Sequence, residues 1–294
     1  MKELVVLSGK GGTGKTSIVG SFAAIAQSKV LADCDVDAAD LHLLLSPTTK
    51  KENEFWSGQV ALIDEDKCTK CGLCQDICHF HAISDFKVDP ISCEGCGFCY
   101  HVCPDEAIMM KDCLSGHWFI SETRYGPLVH ARLGIAEENS GKLVALVRQN
   151  ARSIAEREDL KYIITDGPPG IGCPVISSLS GANLALLVTE PTLSGMHDLE
   201  RVLGVCYHFG VPALVCVNKY DINLEMTEAI ETSALARGLG MVGKIGYDTE
   251  VTKAQLVGKS IVEYTSNGLK DQIVCLWESV LDVLRDTTNK KESK

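Results

Sequence analysis

Aromatic side chains are scarce, at 6% of the 294 residues. Whatever core forms must be filled mainly by aliphatic groups. Long hydrophobic runs are also lacking. No apolar stretch reaches the roughly 20 residues that a membrane-spanning helix requires. The N-terminal MKELVVLSGKGG has no charged segment followed by a long apolar run, so no secretory leader is read there. Positive charge is in deficit: 28 Lys and Arg stand against 39 Asp and Glu, for a formal net charge of −11. Non-specific binding to nucleic acid or to an anionic membrane needs a basic surface, so neither partner is expected. The deficit is uneven, because residues 60–113 hold ten acidic and four basic residues.

Cysteine, by contrast, is plentiful, at 14 residues. In a small secreted chain that would suggest a disulfide framework. In a chain of this length with no leader, the expectation is a reducing cytoplasm, where clustered cysteines serve metal or redox chemistry. Hydrophobic residues at 45% and charged residues at 23% are ordinary for a soluble globular chain of one or two domains.

Short aliphatic runs recur along the chain. Leu4–Leu7, Val30–Ala32, Tyr162–Thr165, Leu184–Thr189 and Ala213–Val217 read as strands. Helical patterns at Thr16–Gln27, His197–His208 and Leu224–Arg237 alternate with them. Buried strands alternating with helices indicate an α/β fold with a doubly wound, mostly parallel sheet. Such sheets bind ligands at the carboxyl ends of their strands. Lys270–Leu284 has the apolar spacing of a helix packed on the core, and the polar tail Asn289–Lys294 is expected to be disordered.

Gly9-Lys10-Gly11-Gly12-Thr13-Gly14-Lys15-Thr16 matches the phosphate-binding pattern G-x-x-x-x-G-K-[ST]. Glycines let successive backbone N–H groups turn inward around phosphates, and the following helix offers its positive end. Lys15 is expected to reach the β- and γ-phosphates, and the Thr16 hydroxyl to bind Mg²⁺. Ser17, next on the helix, completes the nucleotide-binding set. Asp166-Gly167-Pro168-Pro169-Gly170 follows the run Tyr162–Thr165. A carboxylate there is well placed to hold hydrated Mg²⁺, and Gly170 to turn its N–H toward the γ-phosphate.

The second lysine, Lys10, makes the loop K-G-G-x-G-K-[ST], which resembles the MinD/Mrp and nitrogenase-iron-protein group of P-loop ATPases. The resemblance implies that Lys10 reaches the nucleotide of a dimer partner, either a second copy or a paralogue. The alternative keeps Lys10 on its own subunit's phosphate or in solvent. Asp33-Cys34-Asp35-Val36-Asp37 resembles the family's switch I, which assigns Asp35 to orient the attacking water, with Asp37 as the alternative. Asp166–Gly170 is similar to an Mrp-type switch II, and Glu190–Val202 is also family-like. Asn218 stands where the family hydrogen-bonds adenine. Its neighbours Lys219 and Asp221 also echo the guanine-reading N-K-x-D signature, while the resemblance favours ATP. The catalytic set it implies is Lys10, Lys15, Asp35 and Asp166.

Residues 60–114 break the alternating pattern and read as a small domain set into an ATPase domain of residues 1–59 and 115–294. Residues 68–83 and 93–108 repeat one another at an offset of 25. Each repeat has the C-x₂-C-x₂-C-x₃-C run of bacterial two-cluster ferredoxins, an α+β class, whose fourth cysteine ligates the other cluster. Cys68, Cys71, Cys74 and Cys103 are thus assigned to one [4Fe–4S] cluster, and Cys93, Cys96, Cys99 and Cys78 to a second. Structural zinc, which takes two separated ligand pairs per ion, fits this spacing poorly. His79 stands where the pattern has proline, whereas Pro104 keeps it. Cys206, Cys216 and Cys275 sit in apolar runs and read as core residues, and Cys34 borders switch I. Cys173 occupies a position resembling a cluster-ligating cysteine of the nitrogenase iron protein, but that protein's second ligand has no match here.

The combined expectation is ATP hydrolysis in a dimer, coupled to electron transfer through two clusters to a redox partner. Alternatives are an Mrp-type cluster-assembly or carrier ATPase acting on a metal-cluster protein, and a MinD-like spatial organiser.

Overall fold

The computed structural model describes residues 1–134 and 140–289. Among the described residues, eleven strands form in chain order: β1 (Lys2–Ser8), β2 (Lys29–Asp33), β3 (Thr48–Ile63), β4 (Ile83–Ser84), β5 (Lys87–Val88), β6 (Ile108–Thr123), β7 (Gly126–Leu133), β8 (Tyr162–Pro169), β9 (Leu184–Thr189), β10 (Ala213–Asn218) and β11 (Gly240–Ile245). The helices among the described residues are α1 (Lys15–Ile25), α2 (Leu41–Leu45), α3 (Leu73–Ile77), α4 (Phe98–Val102), α5 (Ser140–Arg157), α6 (Cys173–Leu179), α7 (Leu193–His208), α8 (Leu224–Ala236), α9 (Glu250–Leu256), α10 (Ile261–Tyr264) and α11 (Gly268–Asn289). None is long and apolar enough to cross a membrane.

The chain divides into two compact units. The first contains Met1–Glu52, Trp118–Arg132 and the described part of 140–294. Its sheet runs in the order β11-β10-β9-β1-β8-β2-β7-β6-β3. The pairs from β11 through to β7 are parallel, so the expected mostly parallel α/β sheet is present. Strand β1 lies centrally, and successive residues point to opposite faces. Leu4 and Val6 enter one hydrophobic cluster with α1 and α11. Val5 and Leu7 enter another with α6, α7 and α8. Burial on both faces explains the unbroken LVVL run. Phe22 of α1 packs against Trp277 of α11 with ring centroids 4.9 Å apart.

Local chemistry sets the helix starts. Thr192 caps α7 by accepting from the Gly195 N–H at 2.9 Å. Asn223 caps α8 by accepting from the Met226 N–H at 3.0 Å. Ser260 and Glu263 form a reciprocal capping box on α10.

The second unit contains Asn53–His117 and the described part of 133–139. It is wider than the expected 60–114. The reason lies in β3 and β6, 16 residues each, whose chains pass from one unit's residues into the other's. Mostly exposed and polar, β3 carries an apolar run, Val60–Ile63, only at its end. Within this unit stand α3, α4 and the two-stranded antiparallel pair β4–β5. A small core of Ala61, Cys74, Ile83, Cys99 and Ile108 holds it together.

Cys206 and Cys216 are buried as expected, but Cys275 is exposed. Helix α11 buries Ile273, Leu276, Trp277, Val280 and Leu284 along one stripe, and Cys275 falls off it. The helix includes Asn289, and the rest of the polar tail, 290–294, lies outside the described residues.

Candidate functional site

The phosphate loop joins β1 to α1. Gly14 caps α1 at φ 92°, and Gly12 has φ 79°, both in the left-handed region that favours glycine. Gly14 is doubly constrained: a Cβ there would lie 2.4 Å from Asn218 Nδ2. A Cβ on Gly9 would meet Asp198 Cβ at 2.2 Å. Lys15 is buried, and its ammonium donates to Ser8 Oγ at 3.0 Å. Ser8 Oγ in turn donates to the Lys10 carbonyl at 2.6 Å. Gln255 Nε2 donates to Ser17 Oγ at 2.8 Å. The buried Thr13 Oγ1 has no hydrogen-bond partner.

A cleft of about 630 Å³ opens above this loop, lined by Lys15, Thr16, Asp35, Asp37, Asp40 and Pro168, among others. Adjoining it is a pocket of about 200 Å³ lined by Asn218, Lys219 and the β11–α9 loop Gly246–Asp248. The cleft and the pocket therefore lie at the carboxyl ends of β1, β2, β8, β10 and β11.

Parallel pairing of β2 with β8 sets Asp33 opposite Asp166. Asp33 is fully buried and unassigned in the sequence reading. Its Oδ1 accepts from the Asp35 N–H and its Oδ2 from the Leu41 N–H, each at 3.2 Å. It ties down both ends of the segment Asp35–Leu41. Burial, with the Asp166 charge, pushes its pKa well above the carboxylate range. Asp35 is pushed to about 6, chiefly by burial, against the pull of Lys15. Asp166 is pushed to about 7, again chiefly by burial, with a Thr16 hydrogen bond and Lys15 opposing. Asp166 is 1% exposed, and its Oδ1 has no partner. A buried carboxylate oxygen without a partner is costly unless a cation serves it. The Thr16 and Asp166 side chains therefore fit the Mg²⁺ role assigned to them.

Three of the expected site residues have partners within the chain. The Gly170 N–H donates to the Ser8 carbonyl at 2.9 Å, so here it is held by β1 and not aimed at a phosphate. Gly170 itself has φ 88°. Lys10 Nζ donates to Ser194 Oγ at 3.4 Å and lies 3.6 Å from Glu190 Oε2, within its own chain. Asn218 Nδ2 donates to the Thr13 carbonyl at 2.8 Å, and its Oδ1 accepts from the Lys219 N–H at 3.0 Å. Ser8, Asp33, Asp198 and Gln255 complete the site. Asp33, inside the D-C-D-V-D run, and Asp198, inside Glu190–Val202, carried a sequence signal, whereas Ser8 and Gln255 did not. Cys173 opens α6 and is exposed.

In the second unit the cysteines gather as two sets. One small cavity is lined by Cys68, Cys71, Cys74 and Cys103. Another is lined by Cys78, Cys93, Cys96 and Cys99. The fourth cysteine of each run thus faces the other run's cavity. Gly72 and Gly97, at φ 87° and 75°, turn the chain into α3 and α4 between these cysteines. The Ala82 N–H donates to Cys78 Sγ and the Ala107 N–H to Cys103 Sγ, each at 3.3 Å. Burial pushes the Cys74 and Cys99 thiols up. Among the described residues, no three His, Cys, Asp or Glu side chains converge as ligands of a single metal ion.

A phosphate loop at the carboxyl end of a central parallel strand, with a buried carboxylate on the adjacent strand, defines a P-loop protein that binds nucleoside triphosphates. The family described as the CobQ/CobB/MinD/ParA nucleotide binding domain matches residues 4–261. The chain belongs to that family. Uncharacterized protein MJ0578 of Methanocaldococcus jannaschii is 37% identical over 224 residues, covering 75% of this chain and 79% of the relative. The septum site-determining protein MinD of Bacillus subtilis is 27% identical over 156 residues, covering 51% and 57%. The septum site-determining protein MinD of Pyrococcus horikoshii, solved with Mg-ADP, superposes with a TM-score of 0.59 at 18% identity, covering 95% of each chain. That last likeness establishes the fold alone.

Proposed function

We propose that this chain is a Mg·ATP-hydrolysing switch that acts as a dimer. The observation that carries the reading is Asp166 Oδ1, buried and unpartnered beside Thr16 and Lys15. Lys15, already desolvated, would bind the β- and γ-phosphates in place of Ser8 Oγ. Asp35 lines the phosphate cleft and would orient the attacking water. Mg²⁺, when bound at Thr16 and through water at Asp166, supplies positive charge against the phosphate oxygens. Lys10 would leave Glu190 to reach the partner's nucleotide. Gly170 would exchange the Ser8 carbonyl for the γ-phosphate, which makes switch II sensitive to that phosphate's loss. Phosphate release from Mg·ATP tests the reading. Lys15→Ala should lose nucleotide binding. Asp35→Ala should bind ATP but hydrolyse it at least about 100-fold more slowly. A wild-type chain that neither binds nor hydrolyses Mg·ATP would sink the proposal.

The output of the switch has two readings. The septum site-determining relatives support a positional output, as in MinD. The twin cysteine cavities support a redox output. Cys68, Cys71, Cys74 and Cys103 would hold one [4Fe–4S] cluster, and Cys93, Cys96, Cys99 and Cys78 the other. Four thiolates around a multi-atom core stand farther apart than around one ion. Such clusters supply one-electron transfer at potentials the protein tunes. Anaerobic purification with EPR of the reduced chain tests the redox output, and imaging of a tagged chain tests the positional one. Colourless, iron-free protein would eliminate the former, and uniform distribution with and without ATP hydrolysis the latter.

A further inference from the structure

The run Asn218-Lys219-Tyr220-Asp221 has the spacing of a guanine-reading signature, yet its charged members are engaged elsewhere. Lys219 Nζ pairs with Glu190 Oε1. Asp221 Oδ1 accepts the Tyr247 N–H at 2.7 Å. From α11, Gln272 Oε1 accepts the Gly246 N–H at 2.9 Å. Two successive amides of the β11–α9 loop are thus tied down by side chains. A Cβ on Gly246 would lie 3.8 Å from both Asp221 Oδ2 and Gln272 Oε1, so both acceptors flank this residue.

In a trans peptide the N–H and C=O point in opposite directions. Tying the Tyr247 N–H to Asp221 turns the Gly246 carbonyl away from Asp221. Tying the Gly246 N–H to Gln272 does the same for the Ile245 carbonyl. Ile245, Gly246 and Tyr247 line the base pocket, whereas Asp221 and Gln272 do not. Both acceptors thus stand outside the pocket lining, and the carbonyls turned away from them belong to residues that line it. Purine bases differ at C6: adenine presents an amino donor and guanine or hypoxanthine an oxo acceptor. Carbonyl oxygens accept from an amino group and repel an oxo group.

We propose that Asp221 and Gln272 are the specificity-determining residues of the base pocket, holding the Gly246–Tyr247 loop so that it selects a 6-amino purine. The proposal rests on the nucleotide-binding reading above. Asp221, the residue that reads guanine in the N-K-x-D pattern, here excludes it.

The test is equilibrium binding of Mg·ATP, Mg·ITP and Mg·GTP to the full chain. ITP isolates the C6 group, because it lacks the 2-amino group of GTP. The wild type should prefer ATP over ITP by about tenfold or more, the scale set by one mismatched, desolvated polar group. Asp221→Ala frees the Tyr247 N–H and should reduce that ratio by about fivefold or more. Asp221→Asn keeps an acceptor oxygen and should retain most of the ratio, which a merely structural role for the charge would not. Gln272→Ala should also reduce it, and serves if Asp221→Ala melts at room temperature. An unchanged ATP:ITP ratio in both alanine variants overturns the proposal. So does a wild type that binds ATP and ITP equally. A wild type that binds none of the three nucleotides removes the nucleotide reading itself.

Discussion

Lys10 Nζ lies 3.6 Å from Glu190 Oε2, and the other oxygen of Glu190 pairs with Lys219. One carboxylate therefore holds both the early lysine of the phosphate loop and the lysine at the end of β10. A dimer in which Lys10 reaches a partner's nucleotide must first break this contact.

Glu190→Gln should consequently favour association. With Lys10 37% exposed, the pair is worth at most about 1 kcal/mol, so the ATP-dependent dimer constant should tighten by up to about fivefold. Lys10→Ala should keep ATP binding and lose the dependence of hydrolysis on protein concentration. Analytical ultracentrifugation with ATP, beside phosphate release across a concentration series, checks both. An unchanged dimer constant in Glu190→Gln would mean that the contact restrains nothing.

Asp166 should be a stability liability in the nucleotide-free chain. Its folded pKa, about 7, lies above the model-peptide value, so the folded state binds more protons between about pH 4 and pH 7. Its contribution to stability is favourable at the acid end and lost as pH rises through 7. Asp166→Asn should melt several degrees higher than wild type at pH 8, at roughly 2–4 °C per kcal/mol. The difference should shrink toward pH 5. The same variant should lose Mg²⁺-dependent hydrolysis. Thermal melts in chelator, at both pH values, are the measurement.

His130 should have the opposite pH signature. Its ring stacks between Phe119, with centroids 4.9 Å apart, and His42, at 5.9 Å. Ser121 Oγ lies 3.0 Å from Nε2. Burial, with His42 and Arg132 nearby, pushes its pKa down to about 4. The neutral ring's stability is present above the unfolded value near 6.5 and lost as pH falls toward 4. His130→Gln should remove this share of the slope, on the order of 1–3 kcal/mol across that window. Urea unfolding at pH 7 and pH 5 gives the number. Equal slopes in variant and wild type would show that the ring is not the titrating group.

The cysteine sets predict a pattern of metal loss. Wild-type chain prepared without oxygen should carry about eight iron atoms, four per cluster. Crossed ligation makes Cys68 and Cys103 partners despite their separation in sequence. A Cys68→Ser, Cys103→Ser double variant should keep about four irons, whereas Cys68→Ser with Cys93→Ser should lose nearly all. Metal analysis that finds zinc in place of iron would contradict the assignment.

What contiguous residues specify was legible before the fold was known. Glycine spacing marks the phosphate loop because backbone N–H groups need permissive φ values there, and Gly12 and Gly14 have them. The aliphatic runs marked the central strands because burial on both faces tolerates nothing else. The duplicated cysteine spacing already implied the crossed sets that line the two cavities. Long polar strands such as β3 were not legible, since a strand exposed for most of its length needs no apolar pattern.

The phosphate loop and the two cysteine runs were determined by the sequence alone, because each is written in residues a few positions apart. Tertiary structure alone decided that Asp33 faces Asp166, that Lys10 is held by Glu190, and that Asp221 binds Tyr247 in place of a base. Those pairings follow from strand order, which brings distant residues to one edge of the sheet. Periodicity reports which face of a strand is buried, but not which strand lies beside it.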